Sequence, residues 1–248
     1  MKIYQSIVIT CLFLISSFAT ASANDTLYNP SDTAIVFDVD DVILTRTVSV
    51  PALLWRHKID TASILFDFSL MKDIITLYWM TAPIGAYISL FERKRPELIQ
   101  SFISELATTR VLIPETVRII ETLLELGYQL HIGTNQTANE FMLHRERFPI
   151  FSRFATYTFA DYSGFPNVMQ KPDPRYFKSM KDRILSYNKE TTNLIFIDDR
   201  EDNVQAASAS GYIGIRFTSP EALETSLIDL GILAERWSTN PLHPGVIL

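Results

Sequence analysis

The chain has 248 residues, 47% of them hydrophobic, and a formal net charge of −6. That length suits one α/β core with an insertion, and the absence of a basic run excludes an electrostatic footprint for nucleic acid. The only cysteine is Cys11. Once a leader containing it is removed, disulfides, thiol nucleophiles and zinc–thiolate sites are all excluded.

Residues 1–23 read as that leader. Lys2 gives a positive start, Ile7 to Phe18 is apolar except for Thr10, Ser16 and Ser17, and Ala21-Ser22-Ala23 supplies a small-x-small cleavage site. Cleavage after Ala23, or alternatively after Ala21, predicts an exported protein, periplasmic or extracellular. Cys11 lies inside the apolar stretch behind Thr10, which argues against a lipid-modified start.

The mature chain opens with an apolar, β-branched run, Ala34-Ile35-Val36-Phe37, of the kind found in strands buried on both faces. Residues 47–109 then lack strand alternation and are rich in large apolar side chains, including Trp55, Phe66, Phe68, Trp79 and Tyr87. They predict a helical cap inserted between the first strand and its helix. Ile74 to Phe91 carries no charge, but its length is marginal for a bilayer and Pro83 and Gly85 interrupt it. A span there would also put Asp38 and Asp199 on opposite sides of a membrane, so a buried helix pair is expected.

From Pro114 the pattern alternates. A helix ends at Gly127, followed by a strand over 129–133, a helix over 138–147 and a short strand over 155–159. Then come a helix from Pro174 to Leu185, a strand over 193–197, a helix over 203–210, a strand over 212–217 and a closing helix from Pro220. Such alternation implies βαβ units and a doubly wound parallel sheet. The expected organisation is a core of residues 24–46 and 110–248 around a cap of 47–109.

Polar clusters follow the strands: Asp38-Val39-Asp40-Asp41-Val42, Thr134-Asn135, Lys171-Pro172-Asp173-Pro174 and Asp198-Asp199. Open parallel sheets bind ligands beyond the carboxyl ends of their strands, so these segments converge on one point. Carboxylates, a hydroxyl, an amide and a lysine gathered there suit a divalent cation and a phosphoryl group. There is no G-x-x-x-x-G-K-[ST] loop and no H-E-x-x-H helix. The histidines at 57, 131, 144 and 243 are scattered, and His131 reads as a core residue.

In the order Phe37-Asp38-Val39-Asp40, Gly133-Thr134-Asn135, Lys171-Pro172-Asp173-Pro174 and Phe196-Ile197-Asp198-Asp199, these segments resemble the haloacid dehalogenase superfamily of phosphohydrolases. The resemblance implies that Asp38 is a nucleophile forming an aspartyl-phosphate, a role that an already ionised carboxylate suits. It implies that Asp40 protonates the leaving alcohol and then activates water. Mg²⁺ would rest on Asp38, the backbone carbonyl of Asp40 and an aspartate of the Asp198-Asp199 pair. Asp199 is the first choice, and Asp198 would orient it or bond Lys171. Thr134 and Asn135 would donate to phosphoryl oxygens, Lys171 would neutralise phosphate and nucleophile, and Asn203 would touch the site or start a helix. Asp41 stands where the family often has a small residue such as glycine, and Val42 where threonine is common.

Asp40 argues for phosphoryl transfer over carbon–halogen cleavage, since dehalogenases of the family lack that second aspartate. The implied partner is a small phosphorylated substrate. The rival expectation is a non-catalytic protein of the same fold whose apolar cap meets a partner or membrane surface. Asn135-Gln136-Thr137 is formally a glycosylation acceptor, but a glycan there would block the pocket, which favours a bacterial export route.

Overall fold

The computed structural model describes residues 28–48, 66–79, 84–162 and 168–234. The expected leader lies outside them, as do residues 49–65 of the cap with Trp55, and the side chain of Trp79.

Five parallel strands form the central sheet: β1 (Thr33–Phe37), β4 (Gln129–Gly133), β5 (Thr156–Thr158), β6 (Asn193–Asp198) and β7 (Ile213–Arg216), in the order β5-β4-β1-β6-β7. β1 is central and buried throughout, as its unbroken apolar run requires. Successive strand side chains point to opposite faces. Ile35 and Phe37 face a core shared with Ile120 and Leu123 of α4 (Pro114–Glu125) and Leu223 and Leu227 of α8 (Pro220–Asp229). Ala34 and Val36 face Tyr176, Phe177, Met180 and Ile184 of α6 (Pro174–Tyr187), with Ala207 of α7 (Glu201–Ala209). Helices therefore cover both faces, and the fold is the expected doubly wound α/β sheet.

Proline sits at the start of α4, α6 and α8, where its fixed φ and missing N–H cost nothing. Gly127 takes a φ of +90° just beyond α4, the left-handed turn that lets the chain reverse into β4.

A feature not anticipated from sequence is a short antiparallel pair, β2 (Leu44–Arg46) with β3 (Arg110–Leu112). It carries the chain out to the cap and back. Beyond it, Thr47 N–H and its hydroxyl both donate to the carbonyl of Thr109, at 2.9 and 2.8 Å. Three-residue strands are too short for periodicity to reveal.

The described part of the insertion comprises α1 (Phe68–Trp79), α2 (Ile84–Lys94) and α3 (Pro96–Thr108). Ile88, Ile99, Ile103 and Leu106 form one cluster, against which Leu143 of α5 (Ala138–Arg147) packs. Leu70, Leu77, Ala86 and Leu90 form another with Ala160 and Tyr162 of the core. Tyr87 packs against that second cluster, whereas Phe66 and Phe68 are exposed. Among the described residues no helix is long and apolar enough to cross a membrane.

Candidate active site

Sheet register assembles the site. Phe37 of β1 lies level with Ile132 of β4 and Ile197 of β6, so the next residues, Asp38, Gly133 and Asp198, stand in a row at the carboxyl edge. The Lys171 ammonium reaches across all three. It lies 2.9 Å from Oδ1 of Asp38, 2.9 Å from the carbonyl of Gly133 and 2.6 Å from Oδ2 of Asp198. An ammonium has three N–H donors, and here three acceptors meet them. Lys171 is almost fully buried, not the exposed loop lysine that is commonest.

This arrangement refines the expected role of Lys171. It lies directly against Asp38, but its hydrogen-bonding capacity is filled by protein. Its effect on a ligand in the cavity would therefore be one of charge.

The backbone of Lys171 is held in turn by Asn135. The Asn135 side chain accepts from Lys171 N–H at 2.8 Å and donates to Lys171 C=O at 3.0 Å. The amide that the resemblance aims at phosphoryl oxygens is thus taken up at both ends, and Asn135 acts here as a clamp on the lysine loop. Thr134 is buried, its N–H donating to Thr158 C=O at 3.0 Å and its hydroxyl accepting from Gln136 N–H at 3.2 Å. In the same Asn135-Gln136-Thr137 stretch, Thr137 is buried and caps α5 by accepting from Glu140 N–H.

Asp198 and Asp199 have different surroundings. Asp198 is wholly buried, and besides Lys171 it accepts from Arg200 N–H at 3.0 Å and Asn203 Nδ2 at 2.9 Å. Asn203 is not the residue that starts the helix, since α7 begins two residues earlier, at Glu201; its amide serves Asp198. Asp199 is half-exposed and lines the cavity, and among the described residues no side chain bonds it.

Asp38, Asp198 and Asp199 each offer a carboxylate oxygen, all within 4.8 Å of one another. Burial pushes the Asp38 carboxyl well above the ordinary range despite Lys171, and Asp198 and Asp40 add to the rise. Burial and the Asp198 charge raise Asp199 too. Burial works against the Lys171 charge, but Asp38 and Asp198 outweigh it and hold the lysine above its ordinary value. An all-oxygen set short of positive charge fits a hard divalent cation such as Mg²⁺.

Asp40 lines the same cavity as Asp38. The chain is no longer a strand there; it turns back, with Asp41 N–H donating to Leu44 C=O at 2.7 Å. Asp41 has a φ of +59°, the left-handed region that glycine enters freely and aspartate tolerates better than most residues. The departure from the family pattern thus lies where the backbone calls for glycine. The Asp41 carboxylate is 3.7 Å from Arg46, and both line the cavity.

The cavity holds about 270 Å³ and is also lined by Arg110, Gln136, Glu140 and Gly85. None of the four was expected at the site from sequence. Arg110 is buried; it donates to Oδ1 of Asp40 and lies 3.9 Å from Glu140. Gln136 Nε2 donates to the same Oδ1 at 3.0 Å. Glu140 is pushed up to about 8, mainly by burial and then by the Asp40 charge. His131 and His144 are buried core residues lowered to about 4 by burial. The signals for the missed residues were faint: an arginine ending an apolar helical insertion, and polar residues in the loop and helix just past the Thr134-Asn135 strand end.

The sequence matches the family model of haloacid dehalogenase-like hydrolases over residues 33–211. Among curated proteins nothing matches. The fold is shared with the putative HAD-hydrolase YfnB from Bacillus subtilis bound to magnesium, at 18% identity and a TM-score of 0.52, covering 81% of this chain and 99% of that one. A putative phosphoglycolate phosphatase from Lactobacillus plantarum is similar at 19% identity and TM-score 0.47, over 82% and 100% of the two chains. L-2-haloacid dehalogenase from Xanthobacter autotrophicus is similar at 14% and 0.48, over 82% and 84%. With its four strand-end segments brought to one cavity and a matching family model over most of its length, the chain belongs to the haloacid dehalogenase-like hydrolases.

Proposed function

We propose that this hydrolase is an exported, Mg²⁺-dependent phosphatase that cleaves a small phosphomonoester through a phospho-aspartate. The observation that carries the reading is the placement of Asp38 and Asp40 on one cavity, with Lys171 against Asp38. Oδ of Asp38 would bond to phosphorus as the ester P–O bond breaks, and Asp40 would give its proton to the departing oxygen. Asp40 would then take a proton from water as the water oxygen bonds to phosphorus and the bond to Asp38 breaks. Asp38 and Asp199, with Asp198 beside them, would hold Mg²⁺. Bound there, the ion would offset charge on the phosphoryl oxygens and the nucleophile. Magnesium is bound in the B. subtilis protein of the same fold.

Asp40 favours phosphoryl transfer over dehalogenation, because carbon–halogen cleavage leaves a halide that needs no proton. Export rests on the leader of residues 1–23. The test is turnover of a panel of phosphomonoesters with Mg²⁺ by wild type and Asp38→Asn. The variant should keep the fold and lose more than about 99% of kcat, as expected for a lost nucleophile. Wild type trapped during turnover should carry a phosphoryl adduct on Asp38 by mass spectrometry. Wild type inert on the whole panel would support instead the non-catalytic reading, with the cap as a binding surface.

A further inference from the structure

We infer that Arg110, with Gln136, is the positioning residue that aims the Asp40 carboxyl at the leaving oxygen of the substrate. The inference rests on the phosphatase reading above and adds residues that the four motif segments do not contain.

Three separate elements meet at one atom. Asp40 follows β1, Gln136 follows β4, and Arg110 opens β3, the strand by which the chain returns from the cap. Arg110 Nη1 and Gln136 Nε2 both donate to Oδ1 of Asp40. No bond to Oδ2 is present among the described residues, so Oδ2 is left to carry the proton in both half-reactions. A carboxylate joined to its backbone by rotatable bonds has no preferred aim of its own; two donors on one oxygen supply it.

Arg110 is itself tightly held. Its side chain is 4% exposed, its second nitrogen lies 3.9 Å from Glu140, and its carbonyl accepts from Arg147 at 3.0 Å. Burying a guanidinium is costly unless it is paired, and Asp40 is the partner at hydrogen-bonding range. Gln136 has the same logic in smaller measure. A carboxylate oxygen can only accept, so the amide nitrogen must face Asp40, and Oε1 is left buried without a donor among the described residues. Leaving a buried amide oxygen unpaired is unfavourable, a cost that orientation of Asp40 would explain.

The proposal separates from a merely structural role by its dependence on the leaving group. p-Nitrophenyl phosphate releases a phenolate that needs little protonation, whereas benzyl phosphate releases an alkoxide that must be protonated. The two esters are similar in size. kcat/KM ends with phosphoryl transfer to Asp38, so later hydrolysis of the phospho-enzyme does not enter.

In the full-length protein with Mg²⁺, Arg110→Met should lower kcat/KM for benzyl phosphate about 100-fold, the scale of a 1 Å misplacement. For p-nitrophenyl phosphate the loss should stay below about tenfold. Gln136→Met, which removes one donor and keeps the shape, should show the same selectivity at about tenfold. Arg110→Lys should recover part of the benzyl activity, because the charge returns without the planar fork. Should Arg110→Met fail to fold, Gln136→Met and Arg110→Lys still give the comparison. Equal losses on both esters in these variants, or no loss on either, would overturn the proposal. Wild type inert toward both esters would instead overturn the phosphatase reading beneath it.

Discussion

Gly85, in the first turn of α2, lies so close to Tyr162 that a β-carbon on it would stand 2.5 Å from the tyrosine hydroxyl and 3.0 Å from the carbonyl of Asn135. The same hydroxyl donates to that carbonyl at 2.7 Å. This is where the cap rests on the loop that clamps Lys171. In an unconstrained helix, Gly→Ala stabilises by about 1 kcal/mol. Here Gly85→Ala should lower Tm, and kcat/KM should fall as α2 is pushed off the site. Adding Tyr162→Phe removes the clashing oxygen, so a double-mutant cycle should show favourable coupling of the two changes. A higher Tm for Gly85→Ala would mean that the cap does not hold this position in solution.

Lys171 offers a second prediction, because its three acceptors converge on one nitrogen. Lys171→Met leaves Asp38 and Asp198 buried without their cation. Breaking such a pair costs about 3–5 kcal/mol, which urea unfolding should register. Lys171→Arg should not restore activity, since a planar fork cannot bring three donors to one point. An arginine variant with more than about a tenth of wild-type kcat, against the loss expected when a pre-organised cation is displaced, would show that charge alone suffices.

Glu140 sets a pH dependence. Its folded value of about 8 stands well above the ordinary 4.5, chiefly through burial. Between these values the folded state holds a proton that the unfolded state has released, so stability from this group is full below about pH 4.5 and is lost as pH rises toward 8. Glutamine mimics the protonated form. Glu140→Gln should therefore differ little from wild type at pH 5 and be more stable at pH 8, by on the order of 3–5 kcal/mol. His131 and His144 act in the opposite sense, losing stability as pH falls from 6.5 toward 4, but both proteins share them. Thermal unfolding across this range checks the difference, and a constant gap between the two proteins would contradict it.

The sheet was legible because buried parallel strands are written as apolar runs, and the strand 129–133 and the helix 138–147 fall where pattern and capping put them. Asp38 and Asp198 were legible because each directly follows or ends such a run. Arg110 and Glu140 were not. Neither breaks a pattern; Arg110 takes its meaning from its bond to Asp40, 70 residues away in sequence, and Glu140 from its place beside Arg110, 30 residues away. The Asn135 amide was visible, but not its partner, because nothing in the residue type tells whether it faces a ligand or the Lys171 peptide.

The Asp198-Asp199 pair provides the last prediction, since geometry divides two adjacent carboxylates between two tasks. Asp198 is filled by Lys171, Arg200 N–H and Asn203. Asp199 has no side-chain partner among the described residues and faces the cavity. Asp198→Ala should therefore act first on the fold, stranding the Lys171 ammonium and the Asn203 amide and lowering Tm even with EDTA present. Asp199→Ala should leave Tm in EDTA unchanged and weaken Mg²⁺ binding by calorimetry. Metal bound only to the folded state stabilises it by about 2.7 kcal/mol at a hundred times Kd, so wild type should gain Tm with Mg²⁺ and Asp199→Ala should not. EDTA should abolish turnover and Mg²⁺ restore it, while Ca²⁺, with its larger and looser shell, should inhibit. If Asp198→Ala loses metal affinity more than Asp199→Ala while keeping its Tm, the assignments of the pair are reversed, and full turnover in EDTA would remove the metal from the mechanism.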